Sequence, residues 1–264
     1  MEASPKSTRA AAVARDLVGS LERGLAVMEI LAAHPAGLTL TEMAAEAGLT
    51  RAGARRFLLT LVASGYAVQD GRTFRLSSRL LAVARTWLGG ASLWTFAEPF
   101  MRAVSERFGE ACSAAELSGE DVVYVARVPG RHIVSIGLNV GTRLPAFCTS
   151  MGRVLLSGFS APELDRFLAK AEIRSLTPKT LTSRAELRSA ILAAARDGHA
   201  LGDEELEPGL RSSAVPIRDR SGAIVAAVNV STQSARLSAG QMSGDVLPVL
   251  RETATRIEDF FVAQ

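Results

Sequence analysis

Three arginines, Arg51, Arg55 and Arg56, fall close together in GLTRAGARRFLLTLVASG (Gly48–Gly65). Guanidinium groups are permanently charged forks of N–H donors that suit phosphates and base edges. The cluster therefore reads either as an arginine face for a polyanion or as ordinary solubilising charge. Other reactive types are sparse. His34, His132 and His199 lie far apart, and none has metal-ligand spacing with Cys112 or Cys148, so no metal or cofactor is expected. Two cysteines suggest no disulfide scaffold and a reducing compartment. There is no GxSxG elbow and no GxGxxG or phosphate-binding loop. His199 near Asp203 is a pair in sequence, which does not make a site. A hydrolase with a DNA-binding appendage is thus a distant alternative, and the expectation is that the chain is not an enzyme.

The elements around the arginines sharpen the first reading. Ser20 is expected to cap a helix from Leu21 to about Ala33, with Leu21, Leu25, Met28 and Leu31 at helical spacing. Thr39 and Glu42 form a capping box for a second helix that stops at Gly48. Thr50 caps a third, ending near Ser64-Gly65. On it Ala54, Phe57, Leu58, Leu61 and Val62 form an apolar stripe, which leaves Ala52, Arg55, Arg56 and Leu59 outward and Arg51 near the edge. Two helices joined by a short glycine-containing turn match a helix-turn-helix. In YAVQDGRTFRL (Tyr66–Leu76), Asp70-Gly71 signals a two-residue hairpin with Arg72 beside it. A helix-turn-helix with a basic-tipped hairpin is a winged helix-turn-helix. Its third helix would enter the major groove, with Arg55 and Arg56 on bases or phosphates and Thr50 and Arg51 on phosphate. Arg72 would touch the backbone or minor groove.

The chain has 264 residues, enough for two domains, and its basic excess is local. Residues 1–89 hold 11 Lys/Arg against 7 Asp/Glu, whereas the remainder hold 19 against 20. A local basic excess is the footprint of a polyanion partner. No apolar run approaches the ~20 residues of a membrane span, and no secretory signal is visible, so a cytoplasmic protein with no membrane partner is expected. The expected domains are a tail over 1–19, the winged unit over 20–77, a linker helix over 78–90 and a second domain over 91–264. Leu80, Leu81, Val83, Trp87 and Leu88 make the linker apolar around much of its girth, which predicts a second subunit as partner. The second domain begins with a helix from Leu93 to Arg107 with Phe96, Phe100 and Val104 inward. Strands are expected at 111–117, 122–128, 133–138, 199–206, 210–217 and 223–231, with helices between and a long last helix over 238–261. The class is α+β, a mainly antiparallel sheet with helices packed on it.

These segments resemble the IclR family of bacterial transcription regulators. The resemblance rests on SLERGLAVMEIL, LTLTEMAAEAGLTRAGARRFLLTLVASGY, GTRLPAFCTSMGRVLLSG and GDEELEPGLRSSAVPIRDRSGAIVAAVNVS. It implies a winged helix-turn-helix, a linker helix, a GAF-like C-terminal effector domain, and dimers or dimers of dimers on a DNA operator. VYVARVPGRHIVSIGLNVGTRLPAFCTSMGRVLL is most similar to the branch that governs protocatechuate and 4-hydroxybenzoate catabolism. The family's effector pocket would take its walls here from Ile133, Ile136, Leu144, Thr149, Ser150, Met151, Leu210, Ser212, Asn229 and Ser231, with Asp203 near. Apolar residues would hold a small ring and the hydroxyls and amide would orient it. The helix opening at Thr149-Ser150 offers unpaired N–H groups to a carboxylate. The expected effector is accordingly an aromatic carboxylate, with a small aliphatic acid or another aromatic as the alternative.

Overall fold

The computed structural model describes residues 18–83, 93–131 and 138–262. The chain divides into two compact units, Met1–Gly90 and Ala91–Gln264.

The first unit packs three helices, α1 (Gly19–Ala33), α2 (Leu40–Glu46) and α3 (Arg51–Ala63), on a small sheet. Strands β1 (Leu38–Thr39), β2 (Ala67–Asp70) and β3 (Thr73–Leu76) lie in the order β1-β3-β2, all antiparallel. Thr39 caps α2 and forms the capping box with Glu42. Both α2 and α3 end in the same way. Gly48 and Gly65 take φ of 62° and 77°, and the next residue's N–H returns to the helix, Leu49 to Ala44 O and Tyr66 to Leu61 O. This left-handed stop satisfies carbonyls that the helix would otherwise orphan. Val27, Leu31, Met43, Ala54, Leu58 and Phe74 form the core.

The details differ from expectation in four places. Helix α1 begins at Gly19 after Val18, and Ser20 makes no cap. Its buried residues are Val27 and Leu31, while Leu21 and Leu25 remain 61% and 47% exposed. The hairpin loop is Gly71-Arg72, because Asp70 pairs with Thr73. Gly71 takes φ of 58° at the first loop position, where a type II′ turn demands glycine. Finally, β1 was not foreseen, since two residues carry no periodicity of their own. Beyond β3, Ser77 Oγ accepts from Arg79 N–H and residues 79–83 are helical. Leu81 and Val83 are exposed there, and Trp87 and Leu88 lie outside the described residues.

The second unit is a six-stranded antiparallel sheet with helices on both faces, an α+β fold. Its strands are β4 (Ala111–Ser118), β5 (Asp121–Val128), β6 (Arg143–Pro145), β7 (Ala200–Asp203), β8 (Leu210–Arg218) and β9 (Ile224–Gln233). Their order is β6-β5-β4-β9-β8-β7. Helices α4 (Leu93–Phe108) and α8 (Leu247–Val262) cover one face through Trp94, Met101, Val104, Leu250 and Ile257. Helices α5 (Ser150–Leu156), α6 (Ala161–Lys170) and α7 (Arg184–Asp197) cover the other through Met151, Leu155, Leu164, Leu187 and Ile191. The strand period of two sorts the residues between the faces. Val228 and Val230 of β9 join the α4/α8 core, whereas Ala227 joins the α5 core.

Here too the structure corrects particulars. Phe96 is 38% exposed, and Trp94, Ala97 and Met101 take the inward face of α4. Strand β7 ends at Asp203 rather than Leu206, because Glu204 adopts φ of 60° and its N–H turns back to Leu210 O. Strand β6 was not foreseen, and the strand expected at 133–138 lies almost wholly outside the described residues.

Candidate DNA-reading surface and effector pocket

Helix α3 starts in solvent. Thr50 Oγ1 accepts the Gly53 N–H at 3.1 Å, and Arg51, Ala52, Arg55 and Arg56 are all exposed. Arg72 is exposed at the hairpin tip. Among the described residues no carboxylate pairs with these four arginines. A concavity of about 470 Å³ runs between α3 and the hairpin, bounded by Thr39, Thr41, Arg51, Arg55, Gln69 and Arg72. Arg51, Arg55 and Arg72 thus share one basic hollow. Arg56, one residue or ~100° further round, instead borders a second groove with Leu21, Leu25, Met28, Phe57 and Leu80. The two neighbouring arginines therefore border different grooves, which the apolar stripe alone did not separate.

The second site lies in the second unit, under α5. All seven residues of α5 are buried. Thr149 Oγ1 accepts the Gly152 N–H at 3.1 Å and donates to Pro145 O at 3.3 Å. Gly152 has no room for a side chain, since a Cβ there would stand 2.0 Å from Ala146 O. The helix start is thereby pressed against the turn before it, and Ser150 is aimed at the sheet. Ser150 Oγ and Ser212 Oγ are 2.8 Å apart. Asn229 Nδ2 donates to Ser231 Oγ at 3.0 Å, and Asn229 Oδ1 is buried with no partner among the described residues. Tyr124, Leu138, Met151, Leu206 and Leu210 complete the wall, with Gly202 facing Ser150.

The expected residues divide accordingly. Thr149, Ser150, Met151, Leu210, Ser212, Asn229 and Ser231 converge on one small space of about 20 Å³. Leu144 does not reach it; it lies on edge strand β6 and packs against the core beyond. Asp203 turns away, its carboxylate bound to Arg211 Nε at 2.7 Å and Lys179 Nζ at 3.2 Å. The Arg211 hydrogen bond holds that carboxyl below its usual range. Ile133 and Ile136 lie outside the described residues. His199 Nδ1 lies 3.1 Å from Asp197 O, so Asp203 is not its partner. Among the described residues no group of three His, Cys, Asp or Glu side chains could hold a metal ion.

Sequence reasoning missed Tyr124, Leu138, Cys148, Gly202, Glu205 and Leu206. Alternation along β5 was the available signal for Tyr124. Glu205 ends the acidic run Asp203-Glu204-Glu205. It is 8% exposed, and its carboxylate grips the guanidinium of Arg153 with both oxygens, one at 2.7 Å. Thr180 Oγ1 and Thr177 Oγ1 hold the carbonyls of Glu205 and Glu204, each at 2.7 Å. This pins the turn over the pocket to the α6–α7 connection.

Two family models match the chain, the IclR helix-turn-helix domain over residues 20–71 and the bacterial transcriptional regulator IclR C-terminal domain over residues 86–259. The chain belongs to the IclR family. It is a DNA-binding transcriptional regulator with an effector-binding domain, and enzymatic readings fall away. Among IclR relatives, the Pca regulon regulatory protein of Pseudomonas putida is 38% identical over 236 residues, 89% of this chain and 81% of that protein. The crystal structure of a putative transcriptional regulator from Rhodococcus sp. RHA1 is 47% identical with a TM-score of 0.82, covering 94% of this chain and 99% of that one. An IclR homolog from Microbacterium hydrocarbonoxydans, solved in complex with 4-hydroxybenzoate, also gives a TM-score of 0.82 at 26% identity. That match covers 93% of this chain and 100% of the other. No helix among the described residues is long and apolar enough to cross a membrane.

Proposed function

We propose that the chain regulates catabolism of an aromatic acid from the cytoplasm, and that its effector is a small aromatic carboxylate bound under α5. The observation that carries this reading is the pocket wall itself. Two seryl hydroxyls in contact and an amide with a buried, unpartnered atom stand on one side of an apolar slot of Tyr124, Met151 and Leu210. Apolar walls with a few fixed polar groups suit a hydroxylated ring. A buried amide atom without a partner costs roughly 1–3 kcal/mol, which a ligand hydroxyl would relieve. The M. hydrocarbonoxydans relative, solved with 4-hydroxybenzoate, points to the same ligand class. The closed space is smaller than such a ring, so entry displaces the wall, and the effector acts only by binding two arrangements of the protein unequally.

On the DNA side, Thr50, Arg51, Ala52, Arg55 and Arg56 present α3 to the major groove, and Arg72 reaches the backbone beside it. The exposed Leu21, Leu25 and Leu81 and the groove beside Arg56 are the seam to a second copy, giving a homodimer or dimer of dimers. The test is calorimetric titration of the purified protein with 4-hydroxybenzoate, protocatechuate and succinate, paired with anisotropy of labelled DNA from its own upstream region. Saturable binding of an aromatic acid that changes DNA affinity is expected. Binding of succinate alone transfers the protein to an aliphatic-acid regulator.

A further inference from the structure

We propose that Arg127 is the cation that receives the effector's carboxylate, leaving the far end of the ring to the Ser150–Ser212 pair. This rests on the reading of the pocket as an aromatic-acid site. Strand register puts the residues together. Arg127 of β5 lies opposite Ser113 of β4, and Ser113 lies opposite Asn229 of β9. Directly opposed residues on antiparallel strands project to the same face. Arg127, Ser113 and Asn229 therefore form one row on the α5 face, and Ser231 with Ser212 forms the adjoining row.

The contacts agree with the register. Arg127 Nη1 donates to Ser113 Oγ at 3.2 Å, and Ser113 is fully buried. The guanidinium is half-buried, yet no carboxylate among the described residues pairs with it. Burial lowers its pKa. Tyr124 lines the pocket, and burial pushes its own hydroxyl up to about 12, so it stays protonated. A partly desolvated cation without a counter-ion is costly, and an incoming anion removes that cost.

The pocket wall under α5, which includes neither Arg127 nor Ser113, is less suited to an anion. Helix α5 has only seven residues, and the Glu205 carboxylate shares its wall. Glu205 and Arg153 pair with each other there, so neither charge is free for a ligand. Ser150 and Ser212 are neutral donor–acceptors and suit a phenol. From β5 to β8 is three strand spacings, ~14 Å; the Arg127 side chain covers the first by reaching Ser113 on β4, and a para-hydroxylated benzoate bridges the remainder once side chains reach inward from each strand. Asn229 Oδ1, between the two ends, is open to a hydroxyl.

The experiment is a calorimetric matrix of native protein, Arg127→Gln, Arg127→Lys and Ser150→Ala against 4-hydroxybenzoate and 4-hydroxybenzamide. Native protein should prefer the acid by about tenfold or more. Arg127→Gln should erase that preference by weakening the acid and sparing the amide, and Arg127→Lys should retain part of it. Ser150→Ala should weaken both ligands alike. Failure of native protein to bind either ligand overturns the aromatic-acid reading and the role of Arg127 with it. Acid binding with an unchanged acid-to-amide ratio in Arg127→Gln overturns the role of Arg127 alone. The native ratio needs no variant to fold, and a native preference for the amide is equally fatal to the assignment.

Discussion

Helices α3 and α5 open with the same local device. Thr50-Arg51-Ala52-Gly53 and Thr149-Ser150-Met151-Gly152 each place a threonine hydroxyl over a glycine N–H three residues on, both at 3.1 Å. Their surroundings are opposite. Arg51, Ala52, Arg55 and Arg56 of α3 are exposed, and no carboxylate among the described residues pairs with these arginines, whereas every residue of α5 is buried. The cap fixes where each helix starts and nothing more. What the helix does is decided by which side chains follow the cap and by what presses on them. In α3 the following arginines are free for a partner outside the protein. In α5 the following serine faces the sheet, and Arg153 is consumed by an internal carboxylate.

The sharpest way to break the parallel is at the two glycines. At Gly152 an added Cβ would meet Ala146 O at 2.0 Å and two further Ala146 backbone atoms at 2.5 Å. Backbone cannot rotate away as a flexible side chain can. Gly152→Ala is expected to cost more than about 4 kcal/mol, the range in which single changes are exceptional, and to abolish the effector unit's folded transition. Scanning calorimetry should show that transition lost while the winged unit still melts. A shift of only a few degrees would mean that the α5 start is not pressed on its turn.

The arginines give the next contrast. Arg153 is buried and paired with Glu205, so Arg153→Met strands a buried carboxylate and should destabilise by about 3–5 kcal/mol. Arg55→Ala should leave the melting curve unchanged within about 0.5 kcal/mol. Its cost should appear as about 1–3 kcal/mol of operator affinity if a base contact is lost. Arg56→Ala, on the other groove, should cost less. Equal operator losses for the two would return both to one reading face, and a stability loss for Arg55→Ala would make it structural.

The same contrast explains what could be read in advance. Caps and stops are local, so Thr39, Glu42, Gly48, Thr50 and Gly65 were legible, and with them the winged helix-turn-helix. Leu21 and Leu25 had helical spacing, but spacing cannot say whether a stripe faces its own core, and Val27 took that place. In the pocket, Ser150, Ser212, Asn229 and Ser231 came from resemblance and do converge. Arg127 was not seen, because its face depends on a register that slips at Ala114/Ala115, and no pattern along β5 alone announces it. Glu205 reads as solvated until Arg153, 52 residues away, is brought against it.

The smallest expected effect is the most discriminating for the shared cap. At Gly53 an added Cβ would lie 3.2 Å from Thr50 Oγ1 and 4.0 Å from Leu49 Cβ, with no backbone in the way. The approach is tight, but Thr50 is exposed and its hydroxyl can give by a few tenths of an ångström. Alanine favours the helix by about 0.8–1 kcal/mol over glycine. The strained cap offsets part of that gain, so Gly53→Ala should change stability by between zero and about +1 kcal/mol. Denaturant unfolding of the full chain measures it, followed through the winged unit by native-state hydrogen exchange. A loss above about 1 kcal/mol would mean that glycine is required in solvent for the same reason as in the core. The cap itself would then dictate Gly53, and packing alone would no longer distinguish the two glycines. A small gain leaves the two glycines with different causes: at Gly152 the turn beneath excludes a side chain, and at Gly53 nothing in the backbone does.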